Sequence, residues 1–371
     1  MPASSAAAPG SPRRIAILTG GGDCPGINAV IRAVAKPAIL HHGIEVLGVE
    51  DGFEGLVQNR LRRLMEADVS GILTVGGTIL GSNNKCDPER YHDPQRDGEV
   101  RDATDDCLHT IAEHRIDALV VIGGDGTHAL AHRLSKRCDV NIIGVPKTID
   151  NDLPGADLTF GFLTAVSTAT DAIDRVHTTG RSHNRVMLVE VMGRNAGWLA
   201  LYSGIASGAD IILMPEIPYD LGRIIASIQA RRARGKRYTI VCVAEGARAA
   251  DGSQVIARLD PTSPDPVRLG GVAQTLANQI EDKTGMECRA TVLGHVQRGG
   301  SPIAADRILA TQYGHHAMRL LVTGARRRTV ARQGGVITDI ALEAAASGQR
   351  LVPKDHPLIE AARDLGTGFG D

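Results

Sequence analysis

Aromatic residues make up only 3% of this 371-residue chain, with a single tryptophan among them. Platforms that stack single-stranded nucleic acid are built from aromatic rings, so that class of function has little to stand on. Charge imbalance is also missing: 41 basic side chains face 42 acidic ones, leaving a formal net charge of −1. No global field therefore favours nucleic acid or an acidic membrane, and any phosphate binding has to be local. The six cysteines, Cys24, Cys86, Cys107, Cys138, Cys242 and Cys288, contain no Cys-x-x-Cys pair. That argues against a zinc site or a disulfide framework and fits a reducing cytoplasm. No apolar run approaches a bilayer span, and Met1 to Gly10 lack the apolar core of a signal peptide. The expectation is a cytoplasmic protein without membrane or nucleic-acid partners, beginning with a flexible tail over residues 1–13.

What the chain does have is glycine, 43 residues of it, in a sequence that is 43% hydrophobic and 22% charged. Abundant glycine suits many tight strand-to-helix turns whose backbone comes close to a ligand. Short apolar runs recur at Ile15 to Leu18, Val46 to Val49, Ala118 to Ile122, Ile142 to Val145, Val186 to Val189, Ile211 to Met214 and Ile240 to Ala244. Helical patterns separate them: Ile27 to His41, Asp105 to His114, His128 to Arg137, Phe162 to Val176 and Val272 to Lys283. Buried strands alternating with helices predict an α/β fold with doubly wound parallel sheets. Ala249 to Leu269, with Pro261, Pro264 and Pro266, reads as a long connection, and Ile340 to Ala346 as a short helix before a polar end.

The most informative segment is Pro146-Lys147-Thr148-Ile149-Asp150-Asn151-Asp152, directly after the apolar run that ends at Val145. Open α/β sheets place their chemistry at strand ends. Alternating acids there suit a base that deprotonates an alcohol, or ligands for a hard cation; solvated caps are the plainer reading of loop acids. The turn Thr19 to Asn28, rich in glycine around Gly22, offers backbone N–H groups to a phosphate at a helix start. It is neither a Walker A loop nor a dinucleotide fingerprint, which disfavours an oxidoreductase. In the second turn, Gly123-Gly124-Asp125-Gly126-Thr127, Asp125 has room to coordinate Mg²⁺ on nucleotide phosphates, or else caps the following helix. Basic groups follow on separate loops at Arg185, Arg194, Arg289, His295 and Arg298, a set suited to a phosphorylated small molecule. Glu245, at the end of an apolar run, is placed to accept from a sugar hydroxyl or simply to face solvent.

Taken in order, Gly21 to Gly26, Gly123 to Thr127, Thr148 to Asp152, Met192-Gly193-Arg194 and Arg289 to Ser301 resemble the phosphofructokinase family, from about Arg14 to Leu321. The family transfers a phosphoryl group to the 1-hydroxyl of fructose 6-phosphate. The resemblance implies two Rossmann-like domains with the site in the cleft between them: residues 14–161 with 297–347 for the donor, and 162–296 with 348–371 for the sugar phosphate. It makes Asp150 the general base, with Thr148 and Asp152 beside it, Asp125 at Mg²⁺ and Arg194 on the transferring phosphoryl. Gly22, Lys85, Gly124, Asp125, Gly126 and Thr127 would bind ATP. Met192, Gly193, Glu245, His295 and Arg298 would hold fructose 6-phosphate. Arg185 and Arg289 resemble the arginines that reach a neighbouring subunit's sugar phosphate, which implies a homotetramer, or a dimer.

Two departures bear on the donor. Gly126 resembles the ATP users, because a bare position leaves room for the α-phosphate and nucleoside, whereas Lys147 resembles the pyrophosphate users. The combination is similar to an actinobacterial-type subgroup that uses ATP, since excluding a bulky anion is the stronger constraint. Asn84 stands where the family usually has an arginine, and Lys85 beside it lacks the planar fork. A pyrophosphate-dependent enzyme is the near alternative and a catalytically weak regulatory homologue the distant one. Arg32, Lys36 and Arg60 fall near the effector site of bacterial relatives, with His177 where those have arginine. Effectors and other acceptors, such as sedoheptulose 7-phosphate, stay open.

Overall fold

Each of the seven apolar runs becomes a buried strand, because its side chains have apolar neighbours on both faces. The computed structural model describes residues 11–260 and 266–371. The chain opens with β1 (Arg14–Thr19), α1 (Ile27–His41), β2 (Glu45–Val49), α2 (Phe53–Val57) and β3 (Leu61–Arg63). A small hairpin of β4 (Tyr91–Asp93) and β5 (Glu99–Arg101) leads to α3 (Thr104–Glu113), β6 (Ala118–Gly123), α4 (Asp125–Arg137), β7 (Asn141–Thr148) and β8 (Phe160–Gly161). Then come α5 (Phe162–His183), β9 (Val186–Val191), α6 (Trp198–Ala206), β10 (Ile211–Leu213), α7 (Leu221–Ala233) and β11 (Thr239–Ala244). A second hairpin, β12 (Ile256–Leu259) with β13 (Val267–Leu269), precedes α8 (Val272–Thr284) and β14 (Cys288–Val292). The last elements are α9 (Ala304–Val322), β15 (Arg328–Gln333), β16 (Val336–Ala341), α10 (Leu342–Ala345) and α11 (Pro357–Asp364).

The strands form two main sheets. The larger has the order β16-β15-β7-β6-β1-β2-β3 with β8 on β7; its centre is parallel, and the outer pairs β2–β3 and β15–β16 are antiparallel. The smaller, β10-β11-β9-β14, is parallel throughout. Successive residues of β1 and β6 alternate between two apolar clusters: Ile15, Ile17 and Val120 face α1 and α9, while Ala16, Leu18 and Leu119 face α2, α3 and α4. Such two-sided burial is why these strands are uniformly apolar. The first of those clusters continues through α5 and α6 to Met187, Val189 and Val191 of β9, so one core joins both sheets. A buried carboxylate pins the junction: Asp306 at the start of α9 accepts from the N–H and Oγ1 of Thr164 in α5, at 2.7 and 2.6 Å.

Several expectations need correction. α4 starts at Asp125, not His128, because Gly124 already serves as its N-cap, and α5 runs past Val176 to His183, where Asn184 closes it in a left-handed conformation at φ 56°. Within the connection Ala249 to Leu269 the chain forms the β12–β13 hairpin; Pro261 and Pro264 lie outside the described residues. Ile340 and Ala341 extend β16, whose residues pair one for one with β15 from Gln333↔Val336 to Arg328↔Ala341, so the helix there is only Leu342–Ala345. Residues 1–10 of the tail lie outside the described residues, but Arg13 is fixed, its N–H donating to Asp117 at 2.7 Å. The six cysteines are free. Among the described residues, no helix is long and apolar enough to cross a membrane.

Candidate active site

Both sheets reverse strand order beside their first strands, between β1 and β6 in one and between β9 and β14 in the other. Ligands in open α/β sheets bind at the carboxyl ends of strands at such points. The turns after β1 and β6 are held together by small residues. Gly20 donates to the carbonyl of Ile122 at 3.0 Å, and Thr127 packs so tightly that a methyl at Gly20 or Gly123 would lie 2.7 or 2.2 Å from its side chain. Gly124 then turns the chain into α4, whose first residue is Asp125; its side chain caps nothing there, and its Oδ2 accepts from Gln349 at 2.9 Å. Space beside Gly126 is open, and a methyl at that position would meet nothing within 4 Å.

Two cations converge on the first turn. The buried Lys147 ammonium donates to the Gly22 carbonyl, and Arg298 Nη1 donates to the Asp23 carbonyl at 3.2 Å. Arg298, expected on the sugar phosphate, thus reaches across from the second sheet to the donor turn, and a methyl at Gly22 would meet it at 2.9 Å. Burial lowers the Lys147 pKa, with Arg298 adding to the effect and the Cys24, Asp23 and Asp125 side chains opposing it.

The turn after β7 is built around Asn151, a buried residue in the left-handed region at φ 52°. Its Oδ1 accepts from the Thr159 N–H at 2.9 Å. Thr148 Oγ1 accepts from the Asp150 N–H at 3.0 Å and donates to Asp152 at 3.3 Å. Asp150 Oδ1 is shut off from solvent and has no hydrogen-bond partner among the described residues. Burial, reinforced by the charge of Asp125, raises the Asp150 pKa, while Arg298 and Lys147 counter it. Asp152 is raised by burial first and then by Asp150 and Asp125. Asp150 and Asp152, buried together beside the charge of Asp125, hold a proton more readily than ordinary carboxyls.

The second sheet supplies the facing wall. Gly193 has φ 126° and lies against Ala196, while a methyl at Gly246 would sit 1.9 Å from the Arg194 carbonyl, so the Met192-Gly193-Arg194 turn needs bare backbone on both sides. The Met192 N–H points to buried Gln297 Oε1 at 3.4 Å. Glu245 directly follows β11, its N–H donating to the Val191 carbonyl at 2.9 Å; burial pushes its carboxyl up to about 7, helped by Asp150 and Glu190 and opposed by Arg298. His295 is exposed in the turn that follows β14. Neighbouring Glu190 caps α8, accepting from Gly271 and Ala273 at 3.0 and 2.9 Å.

Other expected residues lie elsewhere. Arg185 and Arg289 sit near the starts of β9 and β14, roughly 20 and 10 Å from the carboxyl ends of those strands at about 3.3 Å per residue, and both pair with Glu287. Lys85 forms an ion pair with Asp260 at 3.2 Å, beside the β12–β13 hairpin, and Asn84 is exposed. Arg60 pairs with Asp51 at 2.7 Å, Lys36 with Glu66 at 3.5 Å, and His177 Nε2 contacts the Ser207 carbonyl at 2.8 Å. Gln349 and Arg350 are at the site without any sequence signal. Arg350 Nη1 donates to the Asn151 carbonyl at 2.9 Å, and its N–H to the Asp152 carbonyl at 2.6 Å.

Comparison with known proteins gives this arrangement its context. The phosphofructokinase family model matches residues 14–321. Over 362 residues the chain is 49% identical to ATP-dependent 6-phosphofructokinase 2 of Clostridium perfringens, covering 97% of this chain and 99% of that one. It is 46% identical over 360 residues to an ATP-dependent 6-phosphofructokinase of Spirochaeta thermophila, covering 97% and 98% respectively. Among solved structures, phosphofructokinase from Pichia pastoris in the T-state superposes with a TM-score of 0.77 at 32% identity, over 90% of this chain. The chain spans 37% of that longer protein.

Proposed function

The chain belongs to the phosphofructokinase family, and we infer that it phosphorylates fructose 6-phosphate at the 1-hydroxyl with MgATP, giving fructose 1,6-bisphosphate and ADP. One observation carries the reading: the unpartnered, solvent-shielded Asp150 oxygen lies in the acid-bearing turn between the donor turns and the Met192–Arg194 wall. Phosphoryl transfer asks mainly for positioning, charge neutralisation and one group to take the proton. Asp150 accepts the proton of the 1-hydroxyl as its oxygen bonds to the γ-phosphorus and the bond to ADP breaks. Thr148 and Asp152 fix that turn, and Arg194 stabilises the phosphoryl in transit. Met192, Gly193, Glu245, His295 and Arg298 hold the sugar phosphate, with Arg185 and Arg289 reaching a neighbouring subunit's site in a homotetramer. Among the described residues no three acidic, histidine or cysteine side chains are grouped to hold a metal ion, so Mg²⁺ would be held by Asp125, beside the open space at Gly126, together with the donor phosphates, whose charge it would neutralise. We place the enzyme in the cytoplasm, where its six free thiols stay reduced.

Gly22, Gly124, Gly126 and Thr127 form the donor cradle, and the open space beside Gly126 favours ATP. Pyrophosphate use is the second reading, suggested by Lys147. Against it, the Lys147 ammonium is already engaged with the Gly22 carbonyl. Initial rates with fructose 6-phosphate and either MgATP or magnesium pyrophosphate decide between them. ATP is expected to give the larger kcat/KM; a faster rate with pyrophosphate reverses the donor assignment, and no turnover with either marks a regulatory homologue.

A further inference from the structure

Two consecutive residues of the polar stretch after α10 touch both acid-bearing turns. Gln349 Nε2 donates to Asp125 Oδ2 at 2.9 Å. Arg350 grips the next turn twice, through Nη1 to the Asn151 carbonyl at 2.9 Å and through its N–H to the Asp152 carbonyl at 2.6 Å. It is itself held firmly. Its guanidinium carbon lies 4.0 Å from the centre of the Trp198 ring, and its carbonyl accepts from Trp198 Nε1 at 2.9 Å. Two residues on, the Val352 N–H donates to Glu216 Oε1 at 2.9 Å, and the same oxygen accepts from Gly197 at 2.9 Å, anchoring the stretch to the start of α6.

Asn151 is the joint of this turn, in a left-handed conformation that asparagine tolerates better than other residues with a Cβ. The Asp150 and Asp152 side chains project from either side of it, so rotation of its peptide would swing both. We propose that Arg350 is a positioning residue for phosphoryl transfer: it fixes the carbonyls of Asn151 and Asp152 so that the flanking carboxylates keep their aim at the acceptor hydroxyl. This rests on the reading that Asp150 is the base. Arg350 also adds a cation behind the turn. The other charged groups facing Asp150 and Asp152 are Lys147, Arg298, Asp125 and Glu245.

The test uses full-length Arg350→Met and Arg350→Lys enzymes, assayed with fructose 6-phosphate and MgATP against pH. Trp198, the chain's only tryptophan, reports by fluorescence whether the stretch is seated. Arg350→Met should lower kcat about 10- to 100-fold, the scale of a small misplacement of reacting groups, with KM values nearly unchanged. Its acid limb should stay in place, because the charges that act on Asp150 are those of Arg298, Asp125 and Lys147 and all remain. Arg350→Lys keeps the charge without the planar fork, so kcat should fall while the acid limb stays. Wild-type kcat in either folded variant overturns the proposal, as does activity lost only in proportion to unfolded protein. If Arg350→Met does not fold, Arg350→Lys decides alone: lowered kcat supports the proposal and unchanged kcat overturns it. An inactive wild type with this substrate pair instead counts against the functional reading, and unchanged Trp198 emission in both variants then counts against the brace.

Discussion

Asp150 is defined by what it lacks: its shielded Oδ1 has no partner among the described residues, an arrangement that costs stability unless a substrate or proton completes it. Replacing it with asparagine keeps size and most of the packing but removes the ability to accept a proton. Asp150→Asn should lower kcat by about 10² to 10⁴, the usual worth of a positioned base, while KM for fructose 6-phosphate changes little. Steady-state kinetics check this, and a kcat within a few-fold of wild type would move the role of base to another group. The importance of this residue was legible in the sequence because two acids directly follow an apolar run long enough to be a buried strand. The hold on it was not. Gln349 and Arg350 reach Asp125 and Asn151 from about 200 residues further along the chain, in a polar stretch without periodicity, and only tertiary folding brings them back.

At the scale of elements, the two sheets are oriented by their shared helices. Asp306 fixes the starts of α9 and α5 against each other through the N–H and hydroxyl of Thr164. The same hydroxyl accepts from the Ile303 N–H at 3.1 Å. Asp306→Ala removes a buried acceptor from both Thr164 donors and should cost about 1.5–3 kcal/mol, as for hydrogen bonds to charged groups. Urea unfolding measures the loss, and a variant as stable as wild type would show that the apolar core alone sets the junction. Elements with two buried faces, such as β1, β6 and β9, were legible from uniform apolarity. The β12–β13 hairpin was not, because its Ile256 and Leu259 side chains are exposed and leave no inside-outside alternation to read. The far end of α5 was missed for a related reason: beyond Ile173 the buried positions thin out to Gly180, so the apolar stripe fades before the helix stops.

For the whole molecule, the crowded acids make stability depend on pH. Asp150, Asp152 and Glu245 all have raised pKa values in the fold, Glu245 near 7. A carboxyl raised in this way contributes stability at low pH that is lost as pH rises towards its folded value, because the folded state then holds protons the unfolded chain has already released. Buried His128, lowered to about 4, works in the opposite sense, but only below the ordinary histidine value of about 6.5. Buried Lys147, lowered by desolvation, also opposes the carboxyls as pH rises, but Glu245 is the group whose folded value is about 7, so between about pH 6.5 and 8 its contribution should make Tm of the unliganded wild type fall relative to Glu245→Gln. MgATP should raise Tm more at the upper end than at the lower. Thermal scans in matched ionic strength check the sign; a wild-type Tm that does not fall relative to the variant through the window would mean Glu245 is already compensated without ligand.

Assembly gives the remaining prediction. Arg185 and Arg289 lie back from the carboxyl ends of β9 and β14, and both are paired with Glu287 on the outer part of the second sheet. In an isologous assembly, each subunit would lend these arginines to its neighbour and borrow the neighbour's in return. Asp150→Asn and Arg289→Ala enzymes would then each be impaired alone, the first lacking its base and the second failing to complete its neighbour's site. A hybrid of the two contains one site that is wholly wild type, with Asp150 from the Arg289→Ala chain and Arg289 from the Asp150→Asn chain, and one site that lacks both. Random mixing of equal amounts makes roughly a quarter of all sites intact by this symmetry. Co-expressed, differently tagged variants purified through both tags should therefore recover activity well above the sum of the two alone, with KM for fructose 6-phosphate back at the wild-type value. Activity equal to that sum would confine Arg289 to its own subunit and remove the reason for requiring an oligomer at the active site.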